Sequence, residues 1–201
     1  PRCSPSKLPI VIPTALFSEE TIVEQIQINS GESQNQSFYF SSIEQLNINF
    51  AFSINNKLAS YFENNFPNAQ ITHTGLNIIE NTYNDFNTLE EGQLFTHVQD
   101  NYLSICCFNE NGLRFFNQFY ISNAEDFIYY LLFVCEQLKI KTANSKLVLL
   151  GEIILGEKMH HYAYNYFSKI QFGENKSKSE LNQVYSELPS HTFYTLFKDR
   201  L

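Results

Sequence analysis

The chain has 201 residues, of which 43% are hydrophobic and 15% aromatic, and its formal net charge is −8. This composition is typical of a folded globular protein and excludes a largely disordered chain. The acidic balance argues against a nucleic-acid partner, because such a partner would need Lys and Arg clustered on one face.

The first part of the chain predicts strands and helices in alternation. A helix should begin after Ser18, because the negative charges of Glu19 and Glu20 in its first turn would interact favourably with the positive end of the helix dipole. A second helix should end at Pro67, which cannot continue it. Alternating apolar residues predict the strands. The predicted strands are 8–15, 37–43, 46–54 and 69–72, and the predicted helices start after residue 18 and cover 55–66.

The second part predicts an α/β domain with a mixed sheet. His97–Tyr120 reads as two strands joined by a tight turn at Asn111 and Gly112, because both central positions of such a turn favour positive φ. The capping-box pattern Ser122–Glu125 predicts the start of a helix. That helix is apolar all round, so we expect it to be buried. The other predicted elements are helices 75–86 and 156–170, a boundary at 87–92, and a buried strand 146–150 closed by Gly151.

No predicted element is suited to a membrane or a disulfide scaffold. The longest apolar run, Phe127–Cys135, is far shorter than the roughly 20 residues of a spanning helix. The four cysteines lack the spacing of zinc ligands. Cys106 and Cys107 are neighbours on a predicted strand and should point to opposite faces. The sequence therefore favours a protein of the reducing cytoplasm.

Two groups of residues allow a catalytic or metal-binding interpretation. Glu157, His160 and His161 have the helical spacing that metal ligands sometimes use, but a solvated helix face is the commoner origin of such spacing, and we predict no metal. Cys107 and His97 could form a nucleophile–base pair, yet no third group accompanies them, so buried structural thiols are favoured.

Asn117 and Gln118 are unusual in an aromatic strand. Either they satisfy backbone groups or they form a surface for a partner. The sequence leaves these two alternatives open.

Several segments together resemble a family of Bacteroidetes proteins called domain of unknown function 3822, over nearly the whole chain. More distantly, the order of elements in residues 92–170 resembles the second half of the actin-like ATPase fold, a ribonuclease H-like fold shared by sugar kinases, heat-shock ATPases and the pilus-assembly protein PilM. The segments are 11–17 (VIPTALF), 66–69 (FPNA) with His73, 115–119 (FFNQF), 125–130 (EDFIYY), 149–152 (LLGE) and 188–193 (LPSHTF). The resemblance implies mixed sheets with flanking helices. It also implies N-terminal strands that precede Pro1 and are missing from this chain.

The resemblance also implies a nucleotide cleft that has lost its function. Active members carry Asp-x-Gly where this chain has His97-Val-Gln99, so we expect a neutral imidazole in place of the acid, and a side chain replaces the glycine that lets phosphate approach. Asp100 is close, but strand alternation predicts that it points to the opposite face. The glycine pair under the adenosine reads Gly151-Glu152, whose carboxylate should repel a nucleotide. The first phosphate loop would lie before Pro1.

These residues favour a non-catalytic cytoplasmic module that has no cofactor and works by binding a protein partner. The alternative is an ATPase or kinase with an atypical site that uses Asp100. The predicted domains are a first subdomain at 1–74, a second at 75–172, and a segment at 173–201 that packs back on the first. Within that last segment, Phe193, Leu196 and Phe197 should anchor a helix, and 1–74 should be the less well-packed part.

Overall fold

The computed structural model describes residues 8–30, 35–85, 93–174 and 189–195. The chain divides into two compact units, Pro1–Asn77 and Ile78–Leu201. The predicted boundary at 87–92 lies outside the described residues. Within the described ranges no helix is long and apolar enough to cross a bilayer.

The first unit contains an antiparallel sheet whose strands have the order β1-β3-β2. Its central strand β3 is buried along most of its length because it has a neighbour on each side. Ile22 and Ile26 of α1 pack against Ala51 of β3 and form a small core cluster. The elements are β1 (Ile10–Pro13), α1 (Glu19–Ser30), β2 (Gln36–Ile43), β3 (Ile48–Asn55), α2 (Asn56–Asn65) and the start of α3 (Thr74–Asp85).

The structure corrects two predicted strands of this unit. The first strand ends at Pro13 and is followed by a short 3-10 helix, Thr14–Leu16, so it is shorter than the predicted 8–15. Residues 69–73 form no strand. Instead His73 leads into α3, where its Nδ1 accepts a hydrogen bond from the Gly75 amide at 2.9 Å.

His73 lies between two aromatic rings of β3. Its ring centroid is 5.4 Å from that of Phe50 and 5.4 Å from that of Phe52. Burial disfavours the charged imidazolium and lowers the pKa of His73 to about 4. The folded protein therefore holds this histidine neutral at pH 7.

The second unit contains a five-stranded mixed sheet of order β6-β5-β4-β7-β8. β4, β5 and β6 are antiparallel, whereas β7 runs parallel to β4 and to β8. A parallel connection needs a crossover, and α4 supplies it between β6 and β7. The elements are β4 (Leu94–Gln99), β5 (Tyr102–Asn109), β6 (Gly112–Tyr120), α4 (Ala124–Gln137), β7 (Lys146–Gly151), α5 (Lys158–Tyr166) and β8 (Lys169–Phe172).

The predicted two-stranded hairpin is part of a three-stranded meander. His97 belongs to β4, which turns at Asp100 and Asn101 into β5. The second turn is formed by Glu110 and Asn111, one residue earlier than predicted, and only Gly112 has the positive φ (109°). Next to this turn, the register of the β5–β6 pair shifts between Cys107 and Phe108, which indicates a β-bulge.

α4 is amphipathic rather than buried all round. Its N-cap is Asn123, whose side chain accepts the Asp126 amide, so the cap lies one residue after the predicted Ser122. Phe127 and Leu131 are fully buried, whereas Tyr129 is 61% exposed. A tyrosine can keep its hydroxyl in water, so counting every aromatic residue of α4 as apolar predicts more burial than the helix has.

The helix predicted at 156–170 is shorter than expected. α5 ends at Tyr166, Phe167 is extended, and β8 follows as an edge strand that pairs only with β7 among the described strands. In β8 the apolar Ile170 and Phe172 alternate with the polar Lys169 and Gln171, which is the periodicity of a strand. The predicted helix had been extended into this segment.

The C-terminal segment is described only at residues 189–195. Phe193 lies in a turn there and not in the predicted helix. The Asn81 side chain donates to the Tyr194 carbonyl at 3.1 Å, and Tyr194 is fully buried, so these residues are part of the second unit. Leu196 and Phe197 lie outside the described residues, and the packing of 173–201 on the first unit stays a prediction.

We predict that stability falls with acid because of buried histidines. His97 is only 3% exposed, and burial lowers its pKa from 6.5 to about 4. Below pH 6.5 the unfolded chain takes up a proton that the folded chain refuses until about pH 4, so the free energy of unfolding decreases across that window. The contribution of His97 is roughly 3 kcal/mol in total.

Urea denaturation at pH 7 and at pH 4.5 measures this effect. A His97→Leu variant should lose less stability on acidification than the wild type, while His73 keeps a residual slope of the same sign. His161→Gln on exposed α5 is the matched control and should behave like the wild type. An equal acid slope in His97→Leu would contradict the prediction.

Candidate functional site

The carboxyl ends of the parallel strands β4 and β7 bring the predicted cleft residues together. Strand register pairs His97 with Leu150 and Val98 with Gly151. Gln99, Asp100 and Glu152 continue beyond these pairs and are exposed, whereas His97 is buried within the sheet. Such an edge is the usual ligand position in open α/β sheets.

Glu152 and Asp100 are directly bonded. The Asp100 amide donates to the Glu152 carboxylate at 2.9 Å, and the Glu152 amide donates to the Val98 carbonyl at 2.7 Å. Asp100 has a φ of 53° in the turn after β4, so strand alternation, which predicted that it points to the opposite face, does not apply to it. The carboxylate of Glu152 therefore accepts the hydrogen bond of a backbone amide at the end of β4.

The close contact between β7 and the Val98 carbonyl requires a glycine at position 151. Its φ is +78°, and a Cβ added there would lie 2.0 Å from the Val98 carbonyl oxygen. The Gly151 amide donates to the His191 carbonyl at 2.8 Å. The glycine thus permits a close approach between strands, and its donor is already used by the chain itself.

His191 is held against the loop that follows β7. Its Nε2 donates to the Ile153 carbonyl at 2.9 Å. The centroid of its ring lies 4.3 Å from that of Phe172. The ring of Phe172 also stacks on that of His160, with centroids 5.7 Å apart. His191 stands in the resembling segment 188–193, but nothing in its local pattern indicates a contact 40 residues away.

A cleft of about 400 Å³ opens beside these residues. Its charged side chains are Glu152, Glu157 and Lys158. The remaining lining residues are Ala124, Ile153, Ile154, Gly156 and Met159. Two carboxylates against one ammonium make this a poor environment for a triphosphate.

The three residues with the spacing of metal ligands, Glu157, His160 and His161, are not arranged around a common point. Nδ1 of His160 accepts the Gly156 amide, at 3.4 Å, and His161 is exposed. No group of three His, Cys, Asp or Glu side chains in the described ranges is placed to hold a metal ion.

The thiols of Cys106, Cys107 and Cys135, which lie in the described part of the chain, are buried, and burial raises the pKa of Cys107 to about 11. On β5 the residue opposite His97 is Ser104, three positions from Cys107. That separation is about 10 Å along a strand. A neutral thiol at this distance from a neutral imidazole does not form a nucleophile–base pair.

Asn117 and Gln118 have partners within the chain. The Asn117 side chain accepts the Gln118 amide at 2.8 Å, and the Gln118 side chain donates to the Ser104 hydroxyl at 2.9 Å. Both residues are half-buried on β6. They satisfy local polar groups, and the interpretation of them as a partner surface stays a prediction.

Comparisons with known proteins agree with this architecture. The chain matches the family described as "Protein of unknown function (DUF3822)" over residues 3–170. It is similar to a solved structure of a Bacteroides thetaiotaomicron protein with actin-like ATPase fold and unknown function, with a TM-score of 0.74 and 23% identity. The match covers 84% of this chain but 65% of that protein, so this chain spans about two thirds of its length. No curated protein matches. The expected fold is confirmed.

We predict that Gly151 and Gly156 differ sharply in their tolerance of alanine. Both have positive φ, +78° and +85°, but a Cβ at Gly156 has no heavy atom within 4 Å. Gly156→Ala should therefore cost only the backbone strain, about 1 kcal/mol. Gly151→Ala also forces β4 and β7 apart and should cost about 3 kcal/mol or more.

Chemical denaturation of both variants at pH 7 provides the comparison. Similar losses of stability in the two variants would show that the close approach at Val98 is not a constraint on the fold.

Proposed function

The chain belongs to the DUF3822 family and has an actin-like ATPase fold, and on these grounds we propose that it is a non-catalytic member of that fold. It works in the cytoplasm by binding a protein partner. The observation that carries the proposal is the hydrogen bond from the Asp100 amide to the Glu152 carboxylate.

That hydrogen bond replaces the interaction a nucleotide would need. A phosphate is held by backbone amides that approach it closely, with glycine to admit the oxygens. Here the carboxylate of Glu152 is the anion on the Asp100 amide, and Gln99 carries a side chain where glycine would be needed. A phosphate at this position would have to displace a carboxylate and then remain beside it.

The neighbouring donor is used as well. The Gly151 amide donates to the His191 carbonyl, so a ligand would also have to displace the 189–195 segment. Tyr194 in that segment is 1% exposed, which makes the displacement costly. Both arguments support a strand end whose backbone donors are already occupied by the chain itself.

A protein-binding role is supported by exposed residues at the rim of the cleft and on β6. Ile154 and Leu155, in the loop after β7, are 58% and 72% exposed. Asn117 and Gln118 lie on β6, an edge strand of the described sheet, and Tyr120 at its end is 56% exposed. Exposed apolar and aromatic residues near an edge strand are typical of interaction surfaces.

Calorimetric titration of the full chain with ATP and Mg²⁺ tests the non-catalytic part. We expect no saturable heat for the wild type, and none for Glu152→Gln, which removes the charge and keeps the shape. Micromolar binding by the wild type would contradict the proposal and favour an ATPase or kinase with an atypical site. Glu110→Gln, which removes an exposed charge at the turn between β5 and β6, is the matched control and should behave like the wild type.

Photo-crosslinking in the native host tests the protein-binding part. A photoreactive residue at Tyr120 should give a discrete protein adduct, whereas one at Tyr61, which is equally exposed at 57% on α2, should not. The absence of an adduct at Tyr120, or the same pattern at both positions, would count against a partner at β6.

A further inference from the structure

β6 has the composition of a strand that pairs with other chains. It lies at the end of the described sheet order, so no described strand pairs with its outer side. Residues 115–120 of this strand read FFNQFY, with four aromatic residues and no charge, glycine or proline. Uncharged segments of high strand propensity readily form intermolecular sheets. An edge of this kind is a hazard unless something blocks it.

The register of the β5–β6 pair shows which backbone groups of β6 point outwards. The Ile121 amide donates to the Asn101 carbonyl at 2.8 Å, so these two residues form a hydrogen-bonded pair. In an antiparallel ladder such pairs alternate with pairs whose amides and carbonyls point away from each other. Three residues further along both strands, Ser104 and Gln118 form a pair of the second kind, and the register is unbroken between them. The Gln118 amide therefore points away from β5, towards the outer edge.

Asn117 covers this outward amide. Its Oδ1 accepts the hydrogen bond of the Gln118 amide at 2.8 Å. An incoming strand would lie about 4.8 Å from β6 and would present a carbonyl oxygen to the same amide. Pairing would therefore require the Asn117 side chain to leave and its hydrogen bond to break. The Gln118 side chain donates to the Ser104 hydroxyl at 2.9 Å, so it is anchored on the sheet and leaves this role to Asn117.

We propose that Asn117 is an edge guard, a side chain that occupies the outward amide of Gln118 and prevents β6 from pairing with β6 of a second copy of this chain. A second copy is the chain that the guard excludes, because identical edge segments of this composition pair with one another and a two-fold axis relates them.

The proposal also accounts for an amide residue in an aromatic strand. A β-branched or aromatic residue at position 117 would fit the pleated surface better, but an apolar side chain has no acceptor for the outward amide. A protein partner at β6 would then contact side chains such as the exposed Tyr120 and would not add a strand to the sheet. The inference goes beyond the proposed function and holds whether or not a partner binds there.

Sedimentation velocity of the full chain over a concentration series tests the guard. Asn117→Ala should self-associate at concentrations at least about tenfold lower than the wild type, because pairing gains a backbone hydrogen bond without displacing a side chain. Asn165→Ala, which removes an exposed amide side chain from α5, is the matched control and should behave like the wild type. Thermal unfolding midpoints establish that every variant is folded.

A second substitution removes the donor itself. Proline has no amide hydrogen, and an edge strand tolerates it where the amide points away from the sheet. Adding Gln118→Pro to Asn117→Ala should therefore return self-association to the level of the wild type.

Amide exchange gives a readout that does not depend on the proline variant. In ¹H–¹⁵N NMR spectra, the Gln118 amide of the wild type should exchange slowly at every concentration, because its acceptor is within the same chain. In Asn117→Ala it should exchange fast in dilute solution and slowly once two copies pair.

The proposal is overturned if a folded Asn117→Ala variant associates no more than the wild type. Association of Asn117→Ala that leaves the Gln118 amide in fast exchange would also overturn it, because the contact would then lie elsewhere. Association that persists in a folded double variant has the same meaning.

Discussion

The close approach of Gly151 to Val98 determines the end of the second unit's sheet. With a φ of +78° and no Cβ, Gly151 lets β7 pass the Val98 carbonyl at a distance that no other residue permits. The next residue, Glu152, then donates its amide to that same carbonyl and directs its side chain back to the turn at Asp100. The position of the acid is therefore a consequence of the backbone, and Asp100 with its positive φ completes the arrangement.

This geometry supports the proposal that the chain keeps its actin-like fold without a nucleotide. An end of a parallel sheet presents backbone donors that a bound anion or water would otherwise satisfy. Here Glu152 satisfies the donor at Asp100, and the His191 carbonyl satisfies the donor at Gly151. The ring of His191 on Phe172 extends the same closure to the edge strand β8. Under the proposed function, the chain thus supplies from its own residues the contacts that a ligand would make.

Much of the fold follows from periodic patterns in the sequence. The alternation in β2 and β3, the Asn-Gly turn and the buried strand before Gly151 all depend on neighbouring residues, and each was predicted to within a few positions. The resemblance identified the residues at the ends of β4 and β7, because glycine and acid there stand in recognisable segments. That Glu152 would bond the Asp100 amide was not predictable, since it depends on a turn conformation that alternation assigned to a strand.

The errors have a common physical origin in tertiary contacts. β8 was missed because the predicted helix was extended through Ile170, whereas Ile170 and Phe172 are two residues apart and share a face only in a strand, here one that pairs with β7. Residues 69–72 were assigned to a strand on apolar character alone, although they have no strand partner among the described residues. Tyr129 and Phe133 were assigned to a buried helix because that helix is apolar all round in sequence, although the two side chains are 61% and 42% exposed.

The amide of Asp100 reports most directly on whether the chain occupies its own backbone donors at the ends of β4 and β7. In ¹H–¹⁵N NMR spectra, the account predicts that this resonance shifts upfield and exchanges faster in Glu152→Ala than in the wild type, because its acceptor is lost. It also predicts that excess ATP and Mg²⁺ leave the Asp100 and Gly151 amides of the wild type unchanged. A nucleotide-dependent shift at both amides, with no effect of Glu152→Ala, would contradict the account.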